Sequence, residues 1–151
     1  MATSERRTLQ FGDFDEIMPE VERLVAGHRT VGSWSLAQIC QHLATVMRRV
    51  VDMPATTPRD VTQEVGEEKK REVLESGKLP EGLPAPPQLV PPEGLNEHAE
   101  VEGLRQAIAY YKASNGPVIP HRLFGPLTKQ EWDRLQCIHC AHHLSFAVPT
   151  V

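Results

Sequence analysis

A chain of 151 residues with 40% hydrophobic and 24% charged content has the composition of a soluble globular protein, large enough for one core without disulfide or metal staples. Its net charge of −4 supplies no basic field for nucleic acid or an anionic membrane surface. No apolar run approaches the roughly 18 residues of a membrane span, and the three cysteines, Cys40, Cys137 and Cys140, are an odd number behind a polar start, Met1 to Gln10. A single domain over residues 1–151 in a reducing cytoplasm is the expectation.

Residues 1–10 read as a polar arm containing Arg6 and Arg7. The first helix is expected from Asp13 to Ala26, with Phe14, Ile17, Val21, Leu24 and Val25 at helical spacing and Asp13 as cap. Pro19 implies a kink or a later start, and Gly27 to Gly32 a short loop. Ser35-Leu36-Ala37-Gln38 is a capping box, opening a second helix to about Val51 with Leu36, Ile39, Leu43, Val46 and Val50 as its buried stripe. His42 lies at the edge of that stripe, beside Gln38 and Arg49.

Residues 53–94 are proline-dense. Asp60 to Ser76 has helix-forming composition, with Val61, Val65, Val73 and Leu74 as anchors. An extended polyproline-like strap is expected from Leu79 to Glu93, packed through Leu83, Leu89 and Val90. The third principal helix spans Asn96 to Ser114, with Val101, Leu104, Ile108 and Tyr111 inward. After an irregular loop to Pro126, Thr128-Lys129-Gln130-Glu131 is a second capping box. The helix it opens carries Trp132, Leu135, His139, His142, His143 and Phe146 on one broad face, with Lys129, Asp133 and Cys137 largely away from it. Four principal helices, no strand pair and one long connection describe an all-α, four-helix bundle of up-down-down-up topology.

Three of seven histidines fall between residues 139 and 143. His139 and His143, four apart, share a helix face one turn apart, as two ligands of one metal ion would. His142 competes for the second place, because a spacing of three also puts a pair on one face; His143 is preferred. The third ligand expected is His42 on the second helix. Leaving buried imidazoles without partners costs about 1–3 kcal/mol each, which a divalent cation removes. Three neutral histidines with open positions form the pattern of a catalytic site, with Zn the first expectation and Ni, Fe or Mn compatible with the ligand type. Cys137-x-x-Cys140 has no second cysteine pair for a zinc knuckle. Arg49 is placed to meet an anionic substrate group. Gln38, Glu97, His98, His121 and His142 are the polar residues that could approach the centre.

Trp34-Ser35-Leu36-Ala37-Gln38-Ile39-Cys40-Gln41-His42-Leu43-Ala44 resembles the second-helix signature of the DinB-like superfamily, and His139-Cys140-Ala141-His142-His143 its H-x-x-H-H motif. Arg7-Thr8-Leu9-Gln10-Phe11 and the run His121 to Thr128 resemble an uncharacterised branch of it, a domain of unknown function. The resemblance implies the same bundle, with a metal held by three histidines that fall on His42, His139 and His143. The better-understood members are thiol-dependent S-transferases and isomerases, so a small-molecule electrophile and a low-molecular-weight thiol are the implied partners. Where many of them follow the last His with Arg-Gly-Gln, this chain has Leu144-Ser145-Phe146. Two functions of different kind follow: a metal-dependent S-transferase or hydrolase, or a non-catalytic bundle with a structural or vestigial metal site serving protein interaction. In the second, Glu97 or His98 would close the coordination sphere. Should the chain not be monomeric, a symmetric homodimer is the expected assembly.

Overall fold

The computed structural model describes residues 6–54, 56–58, 61–79 and 86–150. Asp13 caps a single 3-10 turn, Phe14–Glu16, accepting from the Asp15 amide at 2.9 Å while the Glu16 carboxylate reaches back to the amide of Asp13. Helix α1 (Ile17–Ala26) starts only after that turn, and it buries Ile17, Val21 and Leu24 while leaving Val25 exposed. Pro19 therefore falls in the first turn of α1, where its missing N–H has no intrahelical acceptor to lose.

Residues 28–30 are not loop. His28–Thr30 forms strand β1, antiparallel to β2 (Ala147–Pro149), with Arg29 opposite Val148. Three-residue strands are too short to display an alternating pattern, and one of these ends in proline. The protein is thus mostly helical, with a small two-stranded sheet among the described residues.

Helix α2 (Leu36–Asp52) opens on a complete capping box: Ser35 Oγ accepts from the Gln38 amide, and Gln38 Oε1 from the Ser35 amide. Its inward stripe ends on Met47 rather than Val46 and Val50, which are only half-buried. Helix α3 (Glu67–Ser76) is shorter than the composition of its segment implied. Val61 and Val65 are exposed, Val61 in a separate 3-10 turn (Val61–Gln63), while Val73 is buried. Gly77, left-handed at φ 73°, ends α3. Of the strap, Leu83 lies outside the described residues, Val90 is exposed, and Pro87–Leu89 is a 3-10 turn followed by the buried Pro91.

Asn96 caps α4 (Glu97–Ala113) by accepting from the Ala99 amide at 2.9 Å. Thr128 and Glu131 complete the capping box of α5 (Lys129–Leu144). Helix α2 packs most extensively on α4, and α5 touches α1, α2 and α3. The larger core joins Val21, Leu24, Ile39, Leu43, Leu104 and Leu144; a smaller one joins Val73 of α3 to Leu123, Phe124, Leu135 and Ile138. Wedged between the two, α5 has little outward surface. Cys137, expected to lie away from the core, is accordingly buried in the larger one.

The arm before α1 is fastened from Arg6 onward. Arg7 Nε donates to the Ala147 carbonyl at 2.8 Å and its guanidinium pairs with Glu20 at 2.7 Å. Arg6 Nε donates to Ser145 Oγ at 2.8 Å. The three cysteines are free and buried, and among the described residues no helix is long and apolar enough to cross a membrane.

Candidate metal centre

His42 sits about two turns into α2, and α5 supplies His139 and His143 one turn apart. The rigid start of each helix is the local reason the three meet: both capping boxes fix where the helical register begins. His42 Nε2 lies 3.3 Å from His139 Nε2, which lies 3.1 Å from His143 Nε2. Nitrogens bound to one tetrahedral ion at 2.0–2.1 Å stand about 3.3 Å apart. Among the described residues, the group of metal-ligating side chains that converges is His42, His139 and His143.

Their proton inventory sharpens the point. His42 Nδ1 is 3.0 Å from the Leu89 carbonyl, which can only accept, so the neutral ring carries its proton there and turns a lone pair on Nε2 inward. Burial lowers the pKa of His42, with the Leu89 carbonyl partly opposing. Burial also holds His139 well below the ordinary value, reinforced by His143 and His42, and pushes His143 down to about 2, helped by His42, His142 and Arg6. With neutral rings, His139 Nε2 must bridge two nitrogens. If it bears a proton, that one hydrogen is shared between two acceptors; if it does not, two lone pairs face each other across 3.3 Å. A cation at the meeting point resolves this conflict, since each ring then offers it a lone pair.

Trp34 supports the cluster from the start of α2, its indole stacked on the His143 ring at 5.5 Å and 13°. His142 belongs to a different set of contacts. Its Nδ1 lies 3.0 Å from the Arg6 guanidinium, and Arg6 Cζ lies 4.2 Å above the Phe146 ring. A guanidinium only donates, so the Nδ1 lone pair of His142 is taken.

The three histidines line a cavity of about 690 Å³. Leu89 and Pro86 of the strap form part of its wall, and Arg49, exposed, stands on its rim. Gln38 does not reach the centre; its Nε2 donates to the Pro91 carbonyl at 3.3 Å and pins the strap beside His42. Glu97 lies 4.0 Å from His28, and His98 is exposed; neither joins the cluster. Burial pushes the thiol of Cys40 up to about 12 and that of Cys137 up to about 11, and holds Cys140 well above its ordinary value, so these sulfurs are protonated core atoms.

Sequence reasoning did not single out Leu89 as a partner of His42, because a backbone carbonyl leaves no residue-type signal. Nor did it separate His121 from the other polar residues near the centre. His121 lines the cavity, with its Nδ1 accepting from the amides of Leu123 and Phe124 at 2.9 and 3.3 Å. On the same wall, Trp132 Nε1 and Gln136 Oε1 are buried without a hydrogen-bond partner among the described residues, a state costing about 1–3 kcal/mol per group.

No curated protein and no solved structure matches the chain. A family model described as a protein of unknown function (DUF1569) matches residues 3–150. Spanning nearly the whole sequence, that match makes the chain a member of the DUF1569 family.

Proposed function

We propose that this chain is a divalent-metal-dependent enzyme of the DinB-like type, built on a four-helix bundle in which α2 and α5 face each other across the ion. His42, His139 and His143 would hold the metal, with Zn the first choice. The observation that carries the reading is the convergence of three Nε2 atoms at 3.1 and 3.3 Å with the His42 tautomer fixed by Leu89. The cavity beside them favours an open, catalytic site over one closed by a fourth protein ligand, since Glu97 and His98 lie elsewhere. When bound, a divalent ion supplies the acidity that makes a water or thiol a nucleophile near neutral pH.

The remaining work falls to the chain. Burial keeps the three imidazoles unprotonated and available as ligands at neutral pH. Trp34 and the Leu89 carbonyl orient His143 and His42. The apolar wall, including Ile39, Leu89 and Leu135, excludes water around a small electrophile, and Arg49 on the rim draws an anionic group toward the opening. Transfer to a thiol and hydrolysis differ here only in the nucleophile; turnover of an electrophile panel with and without a low-molecular-weight thiol separates them.

Elemental analysis tests the metal. The purified protein is expected to carry about one equivalent of divalent metal and His42→Ala to lose it. A wild-type protein that takes up no stoichiometric metal, or a variant that holds it equally well, overturns the reading.

A further inference from the structure

The cavity extends in one direction from the histidines. Trp34, just before α2, stacks on His143 in the last turn of α5, and further along α2 His42 meets His139, one turn earlier on α5. The two helices therefore run antiparallel, and both lead away from the small sheet past the His cluster. On α2, His42, Val46, Arg49 and Met53 follow one another at helical spacing, so they share one face, and all four line the cavity. Arg49 lies about 10 Å beyond His42 along the helix axis. On α5 the wall runs back from His139 through Leu135 to Trp132, again about 10 Å. The His121 ring packs on Trp132 at 5.4 Å, which brings Arg122, its neighbour in the chain, to the same end of the cavity.

The charges along this path are of one sign. Among the described residues, the lining includes Arg49 and Arg122 and no carboxylate, in a chain with 20 acidic residues and a net charge of −4. Arg7, Arg23 and Arg105 each have a glutamate partner. The two cavity arginines are exposed and have none: the Arg49 side chain makes no hydrogen bond or ion pair with a described residue, and Arg122 donates only to the neutral Gln63 amide oxygen, at 3.3 Å. Between the histidines and this basic end the wall is apolar, formed by Val46, Val50, Leu89, Phe124 and Leu135.

We infer that the cavity takes a linear organic anion lengthwise, with its carboxylate at Arg49 and Arg122, its apolar chain along Val46, Val50 and Leu135, and its far end at the three histidines. A guanidinium offers a carboxylate paired N–H donors, and no acidic side chain on the described wall opposes the charge. A neutral ligand of equal length fills the apolar stretch but leaves both guanidinium groups to water. A short acid cannot span the distance from the histidines to the arginines. This deepens the proposed function by naming the substrate class, and it rests on that reading only for the reaction at the histidines, because the arginines and the apolar wall need no metal to bind.

Isothermal titration calorimetry on metal-free protein compares octanoate with octanamide, which matches it in length and lacks the charge. The acid is expected to bind about fivefold tighter, the scale of a partly exposed carboxylate–guanidinium contact, and to lose that margin as salt is raised. Arg49→Gln combined with Arg122→Gln is expected to erase the margin while leaving octanamide affinity and Tm unchanged, since both side chains are exposed. Zinc-loaded protein tests the length. Suberic acid monohydroxamate, anchored on the ion by its hydroxamate, is expected to bind about fivefold tighter than its methyl ester. Succinic acid monohydroxamate, too short to reach Arg49, gains nothing over its own ester. Equal binding of octanoate and octanamide, saturation by neither, a margin that survives the double substitution, or an equal gain for the short and long hydroxamates overturns the inference. A protein that takes up no zinc yet prefers octanoate overturns the metal reading and leaves this one standing; zinc uptake without the preference does the reverse.

Discussion

The two sides of α5 obey different rules. Toward α1 and α2 the helix presents Cys137, Cys140, Ala141 and Leu144, all buried and joined to the larger apolar core. Toward the cavity it presents Trp132, Gln136, His139 and His143, which are largely buried but polar and partly unsatisfied. A residue on the first side is retained for the contacts it makes with the chain. On the second side the side chains are polar, and three of them, His42 included from α2, converge their ring nitrogens on one point. The proposed function would lie on one side of this helix and much of its packing on the other, and single substitutions can test each side alone.

The largest expected loss of stability lies on the core side. Leu144→Ala should cost about 2–5 kcal/mol in denaturant unfolding through the cavity it opens, while leaving metal stoichiometry unchanged. Loss of metal binding together with stability would mean that the two sides are not separable. On the polar side, zinc at about a thousand times its dissociation constant should stabilise the wild type by about 4 kcal/mol. His42→Ala should show no such gain in a thermal melt.

Smaller effects resolve the support of the His cluster. Gln38→Met frees the Pro91 carbonyl and loosens the strap whose Leu89 carbonyl orients His42. It should weaken metal affinity by about 10- to 100-fold in a competition titration. Ser35→Ala removes the oxygen that caps the Gln38 amide and should cost only about 1 kcal/mol of stability, without a comparable effect on metal. If both variants lose metal affinity equally, helix fraying rather than the strap controls the site.

The two sides should also respond to opposite ends of the pH scale. On the cavity side, the His121 pKa falls to about 4 from an ordinary 6.5, so the unfolded chain takes up protons first. Stability is then fully present above pH 6.5 and is lost progressively as pH falls toward 4. On the core side, Cys40 and Cys137 rise to about 12 and about 11 from an ordinary 9, so the folded state keeps its protons longer. Stability there is full below pH 9 and declines as pH rises above it. Unfolding free energies of metal-free protein across that range should fall at both ends, and Cys40→Ala should make the alkaline limb shallower, with Cys137 still contributing, while leaving the acid limb unchanged.

The helix starts were legible because capping boxes are written in side chains: Ser35 with Gln38, and Thr128 with Glu131. The His139 and His143 spacing was legible for a related reason, since helical periodicity converts sequence distance into direction. Val61 and Val65 misled because valines beside charged residues look like anchors, whereas the segment turns before α3 begins and leaves them exposed. Cys137 misled because helical projection says which side a residue faces, not whether a second core covers that side. The sheet was hidden by its brevity, and the role of Leu89 by belonging to the backbone. What local pattern reveals is direction; what it withholds is which distant segment arrives to meet it.

That distinction has a consequence for the order of folding. His42 and His139 are 97 residues apart, and Arg7 reaches across 140 residues to Ala147. Such long loops close late, after the local helical turns have formed. The imidazole trio is therefore expected to assemble after the local helices rather than to nucleate them. An ion captured there would act as a seal on a finished fold, slowing its unfolding while leaving the rate of its formation nearly unchanged.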